Sequence, residues 1–262
     1  MTRTASREGV GAELRRWREH RALSQLALAS RAEVSTRHLS YVENGRSRPT
    51  PEMILKLADE LDVPLGAQNQ LLLSGGYAPQ HPQRALEDQD LSTVMDGLRA
   101  LLDAHAPWPA LLLDDHWDLI DANNSMEALL AGCDPTLLEP PINVLRLALH
   151  PRGLAPRIRN LAIWRSHLMD QLAHRLERTG GDAVLQALHD ELLTYPGGTG
   201  SGAAQGPVVV LELETRDGLL RFFSVAGRLD GPTDVTLDAL HLETFVPADE
   251  ETRQRMAARS PG

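Results

Sequence analysis

Two short helical segments, joined by a connection of two or three residues, constrain the fold of this chain more than any other feature of its sequence. Ser24 and Ser35 each precede one segment, and serine is a favoured N-cap because its hydroxyl accepts a hydrogen bond from a first-turn N–H. The apolar residues expected to face inward are Leu28, Ala29, Ala32, Leu39 and Val42. So short a connection is typical of a helix-turn-helix, and residues 1–73 are predicted to form an all-α helix-turn-helix domain.

Apolar periodicity predicts further helices on both sides of this pair. Val10, Leu14 and Trp17 fall on one helical face before it. After it, Thr50-Pro51 combines a capping hydroxyl with proline at the first helical position, and Val63-Pro64 ends the helix. The apolar stripe of that helix is Ile54, Leu57, Ala58 and Leu61.

Positive charge is concentrated near the N-terminus. Residues 1–50 contain ten Arg, five Glu and no Lys, a formal charge of +5, whereas the remaining residues carry −15. The total of −10 argues against a polyanion as partner of the whole chain. An arginine-rich head before an acidic body instead predicts nucleic-acid contact by the head alone.

The overall composition is that of a globular protein. Hydrophobic residues make up 42% of the chain and charged residues 24%, which suffices for a buried core. The absence of an apolar run of about 18 residues and of a secretory leader predicts a cytoplasmic protein with no membrane association. Cys133 is the single cysteine, so we expect neither an internal disulfide nor a cysteine zinc site.

Residues 11–65 resemble the Xre/phage-repressor family of helix-turn-helix proteins. The resemblance rests on Leu23-Ser24-Gln25, Leu28-Ala29, Val34-Ser35, Leu39, Glu43-Asn44-Gly45-Arg46 and Arg48-Pro49. Glu33 stands where the family usually has glycine, which predicts a strained left-handed residue in the turn.

The resemblance implies a role for each polar position. The helix that begins near Ser35 would be the recognition helix, and Arg37 would read a guanine edge in the major groove. Gln25 would bond a phosphate or brace that helix, and Arg18 and Glu43 would form an internal ion pair. The implied DNA-binding residues are Gln25, Ser35, Thr36, Arg37, Ser40, Tyr41, Asn44, Arg46 and Arg48. Two simpler interpretations stay open: a surface arginine can be merely solvated, and the turn after the helix can be a C-cap with Gly45 left-handed.

The middle of the chain separates two parts. Ser74 to Gln83 is rich in Gly, Pro and Gln, which is typical of a linker. A helical pattern follows, with Leu91, Val94 and Leu98 among its inward residues. Residues 74–106 are therefore predicted to be a linker and a connecting helix, which either joins the C-terminal body or helps a dimer form.

Residues 107–252 predict an α+β domain with one antiparallel sheet, followed by a tail over residues 253–262. Short strands flank the Asp115-His116 turn, and Asp217-Gly218 is a typical two-residue hairpin turn. The predicted strands cover residues 110–114, 117–121, 208–214, 219–226 and 237–245. The predicted helices begin at Asn123, near Ile158 and after Asp182.

This order of elements is that of a PAS-like sensor domain, and residues 110–252 resemble the MmyB-like ligand-binding domain that follows Xre heads in bacterial regulators. The strings that carry the resemblance are DDHWDLIDANNSMEALL, NVLRLALHP, IRNLAIWRSHL, LRFFS and DVTLDALHLETFVPAD. It implies an apolar cavity for a fatty acid or similar acyl ligand. The candidate ligand-binding residues are Leu130, Asn143, Arg146, Leu161, Trp164, Arg165 and Phe222. The apolar ones are equally compatible with an ordinary core, and the polar ones with capping and surface solvation.

No catalytic or metal-binding constellation stands out. Nucleophile, zinc-helix and Walker signatures are absent, and the Gly197–Gly202 stretch follows a helix, the reverse of the dinucleotide-binding order. We therefore expect no enzyme activity, cofactor or metal. The sequence predicts a homodimeric regulator that binds a pseudo-palindromic site on double-stranded DNA and a small apolar effector. The alternative is an antitoxin or adaptor whose acidic body binds a protein.

Overall fold

The computed structural model describes residues 9–198 and 207–259, which form two compact units. The first unit runs to Arg84 and also contains Arg175–Asp182 and Gly231–Asp238. The second contains Ala85–His174, Ala183–Asp230 and the chain after Ala239. Of the glycine-rich Gly197–Gly202 stretch, only the first two residues lie within the described residues.

The first unit begins with five short helices. They are α1 (Val10–His20), α2 (Gln25–Arg31), α3 (Thr36–Glu43), α4 (Pro51–Asp59) and α5 (Leu65–Ser74). The three predicted N-caps are confirmed: the hydroxyls of Ser24, Ser35 and Thr50 accept from backbone N–H groups three residues on, at 3.0, 3.1 and 3.3 Å. These bonds fix where α2, α3 and α4 begin.

The turn between α2 and α3 has the predicted strain. Glu33 has a φ of +50°, which is the left-handed region that a side chain disfavours. At the other face of α3, a Cβ on Gly11 would lie 2.0 Å from the carbonyl oxygen of Val42, so α1 packs against α3 only because residue 11 is glycine. The helices enclose one apolar core, in which Leu14, Leu28 and Leu39 are fully buried.

Helix α5 and the segment after it are held by a buried side chain. The amide oxygen of Asn69 accepts from the backbone N–H groups of Gln80 and His81, each at 3.0 Å, and its nitrogen donates to the His81 carbonyl at 2.7 Å. The Tyr77 hydroxyl donates to the Pro49 carbonyl at 2.9 Å. The stretch with linker-like composition is therefore bonded to the helices at Tyr77, Gln80 and His81, whereas most of its residues are exposed.

The second unit is built on one antiparallel sheet, as predicted. Its strands are β1 (Ala110–Leu113), β2 (Leu119–Ala122), β3 (Leu211–Thr215), β4 (Gly218–Arg228) and β5 (His241–Pro247). Their spatial order is β2-β1-β5-β4-β3, and every neighbouring pair is antiparallel. An all-helical N-terminal domain and an α+β domain with this sheet confirm the predicted fold class.

Seven further helices follow α5 along the described part of the chain. They are α6 (Ser92–Ala104), α7 (Asn124–Leu130), α8 (Val144–Leu149), α9 (Leu161–Arg178), α10 (Ala183–Leu193), α11 (Val235–Ala239) and α12 (Glu250–Arg259). Asn123 links several of these elements from a position that is 1% exposed. Its amide donates to the carbonyls of Leu102 and Trp108 and accepts from the backbone N–H groups of Ala110 and Met126.

Several predicted element boundaries differ from the structure, and two of them have a clear local cause. The strand predicted from residue 237 begins at His241, because Asp234 accepts from the Thr236 N–H at 2.8 Å and starts α11 instead. The hairpin turn lies one residue earlier than predicted, at residues 216–217, since Thr215 pairs with Gly218. Gly218, with a φ of +115°, is the first residue of β4 rather than part of the turn.

Residues 250–259, most of which fall within the predicted tail, form α12. The hydroxyl of Thr252 accepts from the Arg221 N–H at 2.9 Å, and Arg255 donates to the Leu219 carbonyl at 2.6 Å. Met256 is buried. In the described residues, no helix combines the length and the apolar character that a membrane crossing requires.

Candidate nucleic-acid interface and ligand cavity

A buried ion pair fixes α3 to α1. The Arg18 guanidinium donates to both carboxylate oxygens of Glu43, at 2.6 and 2.9 Å, and also to the Leu23 carbonyl at 2.8 Å. The Glu43 side chain is fully buried and that of Arg18 is 9% exposed. The hydrogen bonds that Arg18 donates to Glu43 raise the pKa of Arg18 above its usual value, so the guanidinium stays charged. The structure thus contains the ion pair that the resemblance implied.

Gln25 completes this network. Its side-chain nitrogen donates to Glu43 at 2.7 Å, which ties the first residue of α2 to the last residue of α3. Of the two roles that the resemblance offered, the structure contains the bracing contact. A phosphate contact by the same side chain stays a prediction.

The outer side of α3 presents the residues implied to read bases. Arg37 is exposed, and its Nε donates to the Tyr41 hydroxyl at 3.0 Å, with the guanidinium 5.4 Å from the ring centroid. Thr36 and Ser40 lie partly exposed on the same short helix, whereas the Ser35 hydroxyl is engaged as the N-cap. The pair Arg37 and Tyr41 therefore presents a cation and an aromatic ring side by side, one helical turn apart.

The residues after α3 differ in the contacts that they make within the protein. The Asn44 side chain donates to the Ser40 carbonyl at 2.7 Å, and Gly45 has a φ of +68°, so the C-cap interpretation holds for this turn. Arg46 is exposed. Arg48 donates to the Gly75 carbonyl at 2.9 Å and lies 5.0 Å from the centroid of the Tyr77 ring. Contact of these residues with the DNA backbone stays a prediction.

The second unit contains an apolar cavity of about 70 Å³. It lies on one face of the sheet, between β1, β5 and β3 and the helices α7, α8 and α9. Its lining residues are Leu111, Leu119, Met126, Leu130, Val144, Leu145, Leu147, Ala148, Leu154, Ile158, Trp164, Leu168, Leu211, Leu213, Glu243 and Phe245. Two predicted ligand contacts, Leu130 and Trp164, belong to this wall.

The predicted polar anchors Asn143 and Arg146 are not part of the wall. Asn143 caps α8 and donates to the His116 carbonyl at 2.8 Å and to Asp118 at 2.9 Å. Arg146 makes a two-pronged pair with Glu191, at 2.8 and 2.7 Å. Their side chains are thus engaged within the protein, as the simpler interpretation of the sequence allowed.

Tyr195 joins the ion pair of Arg146 and Glu191 by donating its hydroxyl to the carboxylate. The hydrogen bond from Arg146 lowers the pKa of Glu191. Burial, together with the neighbouring carboxylate, raises the pKa of Tyr195 to about 12. Glu191 therefore stays ionised and Tyr195 protonated near neutral pH.

Arg165, Leu161 and Phe222 also lie away from the cavity wall. Phe222 is a fully buried core residue whose ring meets Phe245 edge-on at 6.3 Å. Leu161 is half-buried beside Gly197. Arg165 is 5% exposed, and one guanidinium nitrogen is 3.5 Å from the Leu193 carbonyl. Its Nη1 has no hydrogen-bond partner among residues 9–198 and 207–259. As ligand contacts, these three stay predictions.

Sequence reasoning missed most of the cavity wall. Met126 is predicted only as part of a helix, and Leu154 lies in an irregular stretch with no periodicity to assign a face. The missed residue of most interest is Glu243 on β5, since it is the charged member of the wall. Its position two residues before Phe245 was an available signal, because alternate residues of a strand share a face.

Family comparisons match both parts of the chain. The family described as the MmyB-like transcription regulator ligand binding domain matches residues 94–258, more than half of the chain. This chain belongs to the MmyB-like transcription regulators. The helix-turn-helix family matches residues 14–67 of this regulator, which include α2 and α3. The two matches thus give this chain a helix-turn-helix domain followed by a ligand-binding domain of the MmyB-like family.

Several curated proteins are similar to this chain over short stretches of about 60 to 70 residues. The uncharacterized HTH-type transcriptional regulator Mb0023 of Mycobacterium bovis is 39% identical over 69 residues, which are 26% of this regulator and 27% of Mb0023. PrpR of Mycobacterium tuberculosis is 38% identical over 63 residues, which are 24% of this regulator and 13% of PrpR. The matched stretch therefore spans at most about a quarter of these relatives.

A solved structure of an RNA-binding light-oxygen-voltage receptor aligns with 98% of this regulator and 64% of that chain. The identity is 13% and the TM-score is 0.25. A likeness of this size supports no argument about fold or function.

Proposed function

We propose that this regulator binds a pseudo-palindromic DNA operator as a homodimer, with α3 in the major groove. We assign DNA binding to residues 1–73 and ligand binding to residues 107–252. The observation that carries the proposal is the exposed Arg37–Tyr41 pair on a helix whose inner side is anchored by the buried Arg18–Glu43 pair. A rigidly held arginine can bond the O6 and N7 atoms of guanine with little loss of side-chain freedom.

The operator is recovered first, by selecting bound members of a random oligonucleotide pool with the full chain. On the selected site, Arg37→Ala is expected to cost about 1–3 kcal/mol of binding and to relax the preference at one base position. Arg152→Ala, an exposed arginine of the second unit, serves as the charge-matched control. An equal loss on operator and random DNA would make Arg37 a phosphate contact, and a pool without enrichment would refute the proposal.

Arg48 is proposed to contact the DNA backbone. Arg48→Ala should weaken binding to all sequences alike and lower the slope of log affinity against log salt by about one. The carbonyl contact with Gly75 leaves other guanidinium N–H groups for a phosphate. A slope equal to that of the parent protein would exclude this role.

For the second unit we propose a small apolar effector with a fatty-acid-like alkyl chain, in contact with Leu130 and Trp164. Apart from Glu243, the cavity wall consists of apolar residues, as expected for a ligand recognised mainly by burial. An engineered apolar cavity of about 150 Å³ binds ligands of the size of benzene or xenon, so a longer chain requires the lining side chains of this cavity to move. A ligand that binds the widened form more tightly than the original form changes the free energy of operator binding. This change is limited to the difference between the ligand's binding free energies for the two forms.

The acidic remainder of the chain, with a formal charge of −15, favours one other candidate: an antitoxin or adaptor that binds a protein partner. Native mass spectrometry of the purified full chain distinguishes the two. A co-purified small apolar molecule supports the sensor, and a stoichiometric protein supports the adaptor. Neither proposal assigns catalytic activity to the chain, and both place it in the cytoplasm.

A further inference from the structure

The segment that follows α5 packs around the side chain of Arg48. Arg48 is exposed, and its guanidinium carbon lies 5.0 Å from the centroid of the Tyr77 ring, which is the distance of a cation–π contact. The same guanidinium donates to the Gly75 carbonyl at 2.9 Å. An aromatic ring and a carbonyl oxygen therefore restrain this side chain, although it lies on the surface.

Tyr77 is itself bonded at both ends. Its backbone N–H donates to the Leu72 carbonyl at 2.9 Å, in the turn that closes α5. Its hydroxyl donates to the carbonyl of Pro49, the residue that directly follows Arg48, also at 2.9 Å. The ring is thus tied both to the end of α5 and to the chain beside Arg48, so its place next to the guanidinium is well defined.

Two glycines make this close packing possible. A Cβ on Gly76 would lie 2.9 Å from a guanidinium nitrogen of Arg48, and a Cβ on Gly75 would lie 3.1 Å from the Tyr77 ring. Gly76 also has a φ of +80°, which is the left-handed region that favours glycine. The glycines that predicted a linker therefore have a structural role here, because they let the chain pack on Arg48.

A restrained arginine is well suited to bind a phosphate. An unrestrained arginine side chain has several rotatable bonds, and ordering them on binding reduces affinity. A cation–π contact engages the face of the guanidinium, and the Gly75 carbonyl accepts from one of its nitrogens. Because a guanidinium has five N–H donors at its edge, donors for a phosphate oxygen remain.

We propose that Tyr77 is a positioning residue of the DNA interface, whose ring holds Arg48 ready for a backbone phosphate. The inference rests on the proposed phosphate contact of Arg48. It extends the DNA-binding part of the chain past residue 73, into the stretch predicted to be a linker. Tyr77 also lies beyond residues 14–67, which the helix-turn-helix family matches. Tyr77 acts on DNA binding through Arg48.

The test measures binding of the full chain to the selected operator and to a random-sequence duplex by fluorescence anisotropy, at several salt concentrations. Tyr77→Leu should weaken binding to both duplexes about two- to fivefold, which is the range of an exposed cation–π contact. Tyr77→Phe keeps the ring and removes only the hydroxyl bond to Pro49, so it should restore most of this loss.

A double-mutant cycle separates positioning from packing of the domain. Arg48→Ala leaves no guanidinium to hold, so adding Tyr77→Leu to it should leave the affinity for DNA unchanged. Gly76→Ala should also weaken binding by the parent but not by Arg48→Ala, because the new Cβ displaces the guanidinium. Gly231→Ala is the matched control, since Gly231 has a φ of +61° and nothing lies within 4 Å of its Cβ position; DNA binding should not change.

Two results would overturn the role of Tyr77 alone. If Tyr77→Leu weakens binding equally in the parent and in Arg48→Ala, or has no effect in either, the ring does not position Arg48. Tighter binding by Tyr77→Leu would show that the ring holds Arg48 away from the DNA. In both cases a lower salt slope for Arg48→Ala would still support its phosphate contact.

Failure of the proposed DNA interface gives a different result. A salt slope for Arg48→Ala equal to that of the parent refutes the phosphate contact, and the positioning role of Tyr77 falls with it. A full chain that binds neither duplex refutes the proposed function as a whole.

Discussion

Removing the Glu43 carboxylate tests how the helix-turn-helix is held. Glu43→Ala leaves the Arg18 guanidinium, 9% exposed, without its counter-ion, and takes an acceptor from Gln25. Breaking a buried pair by deleting one partner costs about 3–5 kcal/mol, because the remaining charge is buried and uncompensated. The free energy of unfolding of a small domain is about 5–15 kcal/mol, so this loss is a large part of its stability.

Hydrogen exchange of the full chain, read by mass spectrometry on peptides from α1 and α3, measures this loss locally, since amide protection reports the free energy of local opening. Arg15→Ala is the matched control: its partner Glu19 is one turn away on α1, and both side chains are about half exposed. Such a surface pair contributes little, and the control should exchange as the parent does.

The double replacement Arg18→Met, Glu43→Leu separates stability from function. Exchanging a buried ion pair for apolar residues of similar volume is often neutral or stabilising, so protection of α1 and α3 should recover. Operator binding should recover less, because Gln25 still lacks its acceptor and α2 is braced less firmly against α3. If Glu43→Ala exchanges no faster than Arg15→Ala, the buried pair is not what holds α3, and the reasoning fails.

Three further predictions concern the second unit. Phe222→Ala should lower its free energy of unfolding by about 3–5 kcal/mol in urea titrations, because the fully buried ring leaves a cavity; a loss below about 1 kcal/mol would show that the core refills it. Asn123→Ala should lower the free energy of unfolding by more than about 1–3 kcal/mol, which is the penalty for one unpaired buried group, because four hydrogen bonds are lost. Asn124→Ala, one residue later, is the variant with which this loss is compared. Glu191, whose pKa the Arg146 hydrogen bond depresses, stabilises the fold above its usual pKa of 4.5 and loses this effect as pH falls through the depressed value. Unfolding titrations of Glu191→Gln should therefore show less loss of stability between pH 5 and pH 3 than the parent, and equal losses would contradict the assignment.

Local signals predicted most of the secondary structure. Ser24, Ser35 and Thr50 cap their helices as expected, because a capping bond joins residues three apart and needs no tertiary context. The first hairpin and the count of five strands follow from alternation and turn residues in the same way. Helix α5 was missed, since the apolar residues of LGAQNQLLLS do not form one stripe and no capping residue opens it.

Contacts between distant residues decided the details of the candidate sites. Arg146 was an acceptable headgroup anchor by its apolar neighbours in sequence, but its partner Glu191 lies 45 residues away and only the fold brings them together. Glu243 is the opposite case, a site residue that the sequence did not indicate. It is an ordinary strand glutamate in the sequence, but it lines the cavity that β1, β5 and α9 enclose in the structure.

The amino-acid order alone therefore specified most of the elements and the fold class, since these depend on hydrogen bonds and apolar spacing within a few residues. The tertiary structure decided which polar side chains pair with partners within the protein, and which ones lie on the surface or line the cavity. The residue type gives the charge of a side chain. Its burial and its partners depend on residues far apart in the chain, so its role follows from the tertiary structure.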